Sequence, residues 1–225
     1  MLTTLTKFKH AESKSRSFKK NILAALTLVV AGSSISTTAY AEEDTWTARV
    51  GASIVSPEVS NSNKLKNSLG GGELDADINT QLSASLSYRL NTDFSLELLA
   101  AAPFTHDISL KGTGKIASTK QLPPTLSLIY DLPLGEQMPL SVYTGVGVNY
   151  TLFFDEQSSL GNLVLDDSVG LALLLGTDIP INDSVGLNAS VRWMDINTDV
   201  HLNGTNLGEL EIDPWVYSFG FAYHY

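Results

Sequence analysis

The chain has 225 residues, a formal charge of −10 and no cysteine. It is therefore one domain or two small ones, without disulfides or thiolate metal sites. Its acidity excludes nucleic acid as a partner, because phosphate contacts need clustered Lys and Arg.

The amino terminus is basic and polar through Lys19-Lys20, then apolar from Ile22 to Ala31, then small-residue-rich up to Ala39-Tyr-Ala41. A basic leader, a short apolar core and an A-x-A site predict a secretory signal peptide, with cleavage after Ala41. The apolar run is too short for a membrane-spanning helix, which needs about 20 residues. Removing residues 1–41 takes away six basic residues and one acidic one, leaving eight against 23 and a formal −15. Residues 42–225 hold no long uninterrupted apolar stretch, so any spanning falls to strands. Their long apolar alternations also exclude a disordered acidic chain.

Eight segments of period two follow, separated by turn chemistry. The first, Trp46 to Val55, puts Trp46, Ala48, Val50, Ala52 and Ile54 on one face, opposite Arg49, Gly51 and Ser53. Residues 56–77 read as a long polar loop. The second segment, 78–90, sets Leu82, Ala84, Leu86 and Tyr88 against Ser83, Ser85, Ser87 and Arg89. After a short Asn91-Thr-Asp93 turn the third carries Phe94, Leu96, Leu98 and Ala100 on one face, with Ser95, Glu97 and Leu99 on the other. Pro103 to about Thr119 reads as a second long connection.

The fourth segment, about 120–130, places Leu122, Pro124, Leu126, Leu128 and Tyr130 outward. A link over 131–139 leads to the fifth, about 140–153, with Val142 through Leu152 outward and Tyr143, Gly145, Gly147, Asn149 and Thr151 inward. The sixth sets Val169, Leu171, Leu173 and Leu175 against Ser168, Gly170, Ala172, Leu174 and Gly176. A turn at Pro180–Asp183 precedes the seventh, Val185 to Trp193, which turns Asn188, Ser190, Arg192 and Met194 inward. Residues 198–212 read as a polar connection. The last segment, Trp215 to Tyr225, carries an aromatic ring at every second position.

One class of fold accounts for this pattern: an all-β, eight-stranded antiparallel up-and-down transmembrane β-barrel. The outward sets contain no Asp, Glu, Lys or Arg, as a lipid-facing wall requires when one such charge at mid-bilayer costs roughly 2–4 kcal/mol. Connections alternate long and short, matching external loops and periplasmic turns, and aromatics gather near strand ends as interfacial girdles. Trp46, Tyr88, Phe94, Tyr130, Tyr223 and Tyr225 fall at the periplasmic end. Tyr150, Phe153, Phe154, Trp193, Trp215 and Tyr217 fall at the external one. Closure leaves no unpaired edge in hydrocarbon.

Eight strands enclose room for side chains or one narrow path. Charged inward positions are Arg49, Arg89, Glu97 and Arg192, with Glu97 the one mid-strand carboxylate. Because an isolated charge in a narrow lumen is costly, Glu97 is expected to pair with an arginine, either as a plug or in an ion-selective role. Leu99, Leu174 and Met194 make part of the lumen apolar and suit oily solutes. Inward glycines either let larger neighbours pack or leave the lumen open. Pro123-Pro124 sit at the head of the fourth segment and Pro103, beside Phe104, ends the third, its expected hairpin partner, although proline has no N–H for a ladder. They mark either plain strand ends or a side opening towards the bilayer. No G-x-S-x-G, HExxH, P-loop or metal-spaced histidine cluster is present, and neither an enzyme nor a cofactor is expected.

The chain resembles the OmpW family of Gram-negative outer-membrane proteins. The likeness lies in Asn79-Thr-Gln-Leu82, Glu97-Leu-Leu-Ala-Ala-Ala-Pro-Phe104, Leu122-Pro-Pro-Thr-Leu126, Asn149-Tyr-Thr151 with Phe153-Phe-Asp155, Trp193-Met-Asp-Ile196 and Asp213-Pro-Trp-Val216. The resemblance implies a narrow apolar lumen in an outer-membrane barrel that admits small hydrophobic molecules, with Leu99 at the constriction. Arg192 stands where the family is expected to carry an aromatic, so a cation replaces an apolar gate. Some members are bacteriocin receptors, which keeps open a second reading: a closed structural or receptor barrel whose loops bind partners. A third, a soluble periplasmic ligand-binding barrel, would leave the membrane without detergent. The aromatic end at Phe221, Tyr223 and Tyr225 resembles the signal read by the outer-membrane assembly machinery.

Overall fold

A computed structural model describes residues 45–133 and 140–225; the expected leader and its cleavage point lie outside them. In chain order the elements begin with β1 (Trp46–Ser56), β2 (Ser60–Asn61), α1 (Asn63–Ser68), β3 (Leu74–Ala76), β4 (Asn79–Arg89) and β5 (Phe94–Ala101). Then come β6 (Phe104–Leu110), β7 (Gly114–Leu122), β8 (Thr125–Leu132), β9 (Ser141–Ser158) and β10 (Leu163–Leu165). The chain ends with β11 (Ser168–Pro180), β12 (Val185–Met194), β13 (Asn197–Leu202), β14 (Thr205–Glu211) and β15 (Trp215–His224).

Eight of these strands form a closed antiparallel ring in the order β11, β12, β15, β1, β4, β5, β8, β9, which returns to β11. The last strand closes on the first over ten register pairs, from Thr47–His224 to Ser56–Trp215. Trp46 and Tyr225 exchange backbone hydrogen bonds beyond that ladder, at 2.9 and 3.0 Å. Gly51 faces Gly220 across this junction, and a Cβ on either would run into the opposite backbone. Two glycines thus let the closing strands approach.

Period two sets the faces. Val50, Leu82, Leu98, Leu126, Val146, Leu171, Leu187 and Phe221 are exposed, while Ser53, Ser83, Glu97, Ser127, Asn149, Ala172, Asn188 and Ala222 are buried. The outside of the barrel is a greasy band and its inside is polar or small. Aromatic pairs Trp46–Tyr88, Phe94–Tyr130 and Tyr223–Tyr225, with centroids 4.7, 5.2 and 5.6 Å apart, ring the short-turn end.

The three long connections correct the sequence reading. Residues 56–77, 103–119 and 198–212 are largely structured: they form β2, α1 and β3, the β6–β7 hairpin, and the β13–β14 hairpin. Together they build a wall on top of the barrel. One half continues the barrel sheet through β9, β7, β6 and β3, and the other is the sheet β10, β13, β14, β2. Apolar side chains of α1 and of the wall strands point inward, so Leu65, Leu74, Ile108, Leu165, Val200 and Leu210 share one buried cluster with the barrel's Val55, Met194 and Val216. Polar-looking loops conceal this because the wall is thin and its outer face is charged.

Four side chains lie elsewhere than the sequence reading put them. The predicted fourth strand is two strands, β7 and β8, divided at Pro123-Pro124, and Leu122 is buried rather than outward. Leu152 and Phe153 are both buried, so Phe153 does not belong to the external girdle. Phe153 keeps the inward parity of Asn149 and Thr151, while Leu152 is buried opposite its partner Leu122; the register irregularity of the β7–β9 ladder lies beyond them, between Ser118 and Lys120. Arg89 is exposed at the short-turn rim rather than in the lumen.

His106 ties the upper wall together. Its Nδ1–H donates to the Asp77 carbonyl at 2.8 Å, and its Nε2 faces the Gln121 amide nitrogen at 3.2 Å. That arrangement suits the neutral ring, and burial lowers its pKa below the ordinary 6.5 against the opposing pull of Asp77 and Asp107. The fold tolerates the neutral form, so the associated stability is complete above 6.5 and declines as pH falls towards the lower folded-state value. An NMR titration in micelles is expected to find the His106 ring still mainly neutral at pH 6.5. A midpoint above that value would contradict the assignment.

Candidate functional site: the lumen

Lumen side chains divide into two levels. At the short-turn level four charges alternate across the interior. Arg192, buried on β12, donates from Nη2 to Glu97 Oε1 at 2.6 Å and from Nη1 to Ser127 Oγ at 3.1 Å. Glu97 Oε2 also accepts from Ser85 Oγ at 2.9 Å and meets Arg49 Nη1 at 3.4 Å. Arg49 turns its stronger contact to Asp178, with Nη2–Oδ2 at 2.6 Å and Nε–Oδ2 at 3.1 Å. Asn188 donates to Asp178 Oδ1 at 2.7 Å and to the Tyr143 hydroxyl at 2.8 Å, and the Arg49 guanidinium lies 4.6 Å over the Tyr143 ring.

Two cations and two carboxylates thus sum to zero within a fully hydrogen-bonded network. A buried charge is tolerable in that setting and costly outside it. Asp178 is the member that the sequence reading missed, and Glu97 is not the sole inward mid-strand carboxylate. Its signal was present: alternation continues past Gly176, putting Thr177 and Ile179 outward and Asp178 inward on a strand that runs to Pro180. The inward set counted from the sequence stops at Gly176, one inward position short of Asp178.

The cavity left beside this network is about 30 Å³ and is lined by Arg49, Glu97, Leu99, Tyr143, Leu174 and Arg192, with serines around them. It holds roughly two water molecules. Glycine does not open the lumen here. Gly176 makes room for the Tyr143 ring, and Gly147 sits against Ser127. Leu99, Leu174 and Arg192 meet around this cavity, whereas Met194 is packed in the apolar cluster above.

The external level is apolar. A second cavity of about 30 Å³ is lined by aliphatic side chains except for Ser158, among them Leu65, Leu69, Leu74, Ile116 and Leu163. Where the two levels meet, the wall changes. The β5–β8 ladder runs from Phe94–Tyr130 to Leu99–Thr125 and stops two residues beyond the Glu97–Ser127 pair. Pairing resumes at Phe104–Gln121, in the β6–β7 ladder. Between these points lie Ala100–Pro103 on one side and Leu122–Pro124 on the other. Phe104, Leu122 and Pro123 are buried at this break.

A model of the OmpW family matches residues 43–225. Outer membrane protein W of Vibrio cholerae is 37% identical over 222 residues, covering 92% of this chain and all of that one. The dibenzothiophene metabolism operon protein PahQ of Pseudomonas aeruginosa is 31% identical over 169 residues, 71% of this chain and 77% of its own. Among solved structures, the outer membrane protein OprG of Pseudomonas aeruginosa superposes with a TM-score of 0.69 at 32% identity, over 82% of this chain and 97% of that one.

The charge network predicts an asymmetric mutational response. Glu97→Ala leaves Arg192 buried without its carboxylate and is expected to lower stability by about 3–5 kcal/mol. The paired change Glu97→Leu with Arg192→Met, which removes both charges, is expected to recover most of that loss. Urea unfolding in micelles checks the order of the two variants.

Proposed function

The chain belongs to the OmpW family of outer-membrane barrels, and on that premise we propose that it gives passive passage to small hydrophobic or amphipathic solutes. It resides in the outer membrane of a Gram-negative bacterium, with its apolar band in lipid. One observation carries the proposal: the proline-broken ladder lies where the apolar level ends and the ion-paired level begins. A solute descending among aliphatic side chains meets Leu99, then Arg192 and Glu97, which would have to lose hydrogen bonds to admit it. The cheaper route is sideways, between Pro103-Phe104 and Pro123-Pro124, into hydrocarbon. Leu99, Leu174 and Arg192 act here as the constriction, with Met194 in the apolar cluster above it. Arg49, Glu97 and Arg192, joined by Asp178, act as its floor.

The relative from a dibenzothiophene metabolism operon makes apolar aromatic compounds a reasonable solute class. Both cavities are small, so passage relies on aliphatic side chains yielding rather than on a standing pore. No reacting group or cofactor is involved. The same closed floor favours a second reading, a receptor barrel whose external wall binds partners such as bacteriocins. Phe221, Tyr223 and Tyr225, facing outward on the closing strand, serve in the proposal as the signal for the outer-membrane assembly machinery.

Uptake of dibenzothiophene by cells with and without the protein separates the two readings. Expression is expected to raise the initial rate. Replacing Pro123 with Thr and Pro124 with Val, which restores ladder donors, is expected to abolish most of the gain, and Leu99→Trp is expected to act similarly. Uptake indifferent to the protein would leave only the receptor reading. Deleting Tyr225 is expected to reduce the amount of inserted barrel while leaving uptake per inserted molecule unchanged.

A further inference from the structure

The wall has a second break. The β1–β4 ladder ends at Val55–Asn79, and beyond it the two backbones turn away from each other. The Glu58 N–H donates to the Ile212 carbonyl at 2.9 Å, while the Asp77 N–H donates to the Asp107 carbonyl at 3.3 Å. Residues 56–60 therefore belong to one half of the external wall and residues 75–78 to the other. Pro57 has no N–H with which to extend the barrel ladder upward.

One side chain rejoins the halves. Asn61 accepts from the Leu74 N–H at 2.9 Å and donates through Nδ2 to the Leu74 carbonyl at 3.0 Å. It stands in for the strand neighbour that β3 lacks. A second clasp lies outside, where Glu73 binds Lys66 at 2.6 Å and Lys111 at 3.0 Å. These lysines hold the Glu73 carboxyl down at about 2, so it stays ionised at neutral pH. All three side chains are solvent-exposed, so salt weakens this clasp.

Each half is firm on its own. α1 is bound to β14 through Ser62 N–H to the Glu209 carbonyl at 3.1 Å, Glu209 N–H to Ser62 Oγ at 3.0 Å and Ser68 Oγ to the Leu207 carbonyl at 2.9 Å. On the other side β3 is paired with β6. The link between them is the turn Gly70-Gly71-Gly72, whose first two residues take positive φ of 66° and 90°. Directly behind the seam lies a cavity of about 20 Å³ with Pro57 and Val59 on one lip, Asp75 and Ala76 on the other. It shares Ile108, Leu165 and Leu210 with the larger aliphatic cavity. Ile78, 64% exposed, extends the apolar lip outward.

We propose that the seam between residues 56–60 and 75–78 is the port through which apolar solutes reach the interior from outside, with Asn61 as its latch. This rests on the transport reading and adds an inlet to the outlet at the prolines. Closing the seam takes two neutral hydrogen bonds and an exposed ion pair, whereas opening it wets apolar side chains that an oily solute would cover. The solute therefore lowers the cost of its own admission.

The chain has no cysteine of its own, which allows a direct test. Val59→Cys with Ala76→Cys is joined by a short bis-maleimide in whole cells, the link is verified by mass spectrometry, and initial uptake of dibenzothiophene is measured. Linking is expected to cut protein-dependent uptake several-fold, with the single-cysteine variants unaffected by the reagent. Asn61→Ala loses both hydrogen bonds of the latch, and is expected to raise the open fraction and the initial rate by about fivefold or more. Protein-dependent uptake that ignores the verified link overturns the port and leaves the transport reading standing. Uptake that is the same with and without the protein overturns both.

Discussion

A backbone in hydrocarbon has no water to bond, so the ladder around the barrel must close. The rest of the structure depends on that constraint. It explains why β15 returns to β1 over ten pairs, why two glycines face each other at the junction, and why Trp46 and Tyr225 continue the bonding beyond it. It also fixes where the wall can be irregular. Both breaks, at Val55–Asn79 and at Leu99–Thr125, lie at the external ends of their ladders, with prolines beyond them. Through the lipid band between, strand pairing is regular.

Closure with eight strands makes the interior narrow, and narrowness decides what the charges do. Arg49, Glu97, Asp178 and Arg192 have no solvent to retreat into, so each is held by an opposite charge and by hydroxyl or amide partners. The resulting floor is polar, neutral in sum and nearly free of space. An aqueous path through it would require several bonds to break together. Above it the side chains are aliphatic, and movement there costs little more than rearranged packing. The molecule is thus an apolar chamber standing on an ionic floor, and the proposed lateral passage rests on that contrast.

The external wall extends the same logic beyond the membrane. Its strands are short, its outer face is charged, and its inner faces jointly enclose the chamber. Water is present outside, so its seams need not be sealed by backbone ladders, and the Asn61 side chain bridges one of them. The proposed port lies in this wall, above the regular ladders of the barrel.

Much of this was legible in the sequence. Period-two alternation with an uncharged outer face requires a closed barrel in lipid, because each residue's face follows from strand geometry alone. The inward position of Arg49, Glu97 and Arg192 followed from the same count, and proline's missing N–H marked Pro123-Pro124 as an anomaly of the ladder. The tertiary structure alone decided which charge meets which, since barrel stagger brings Arg49 to Asp178 from strands that are not neighbours. It decided that Leu122 and Leu152, paired across the β7–β9 ladder, are buried although alternation alone puts them on the outer face. And it decided that three polar-looking loops form one wall around a shared core, because none of those segments buries enough apolar surface to declare itself a strand until its partners are in place.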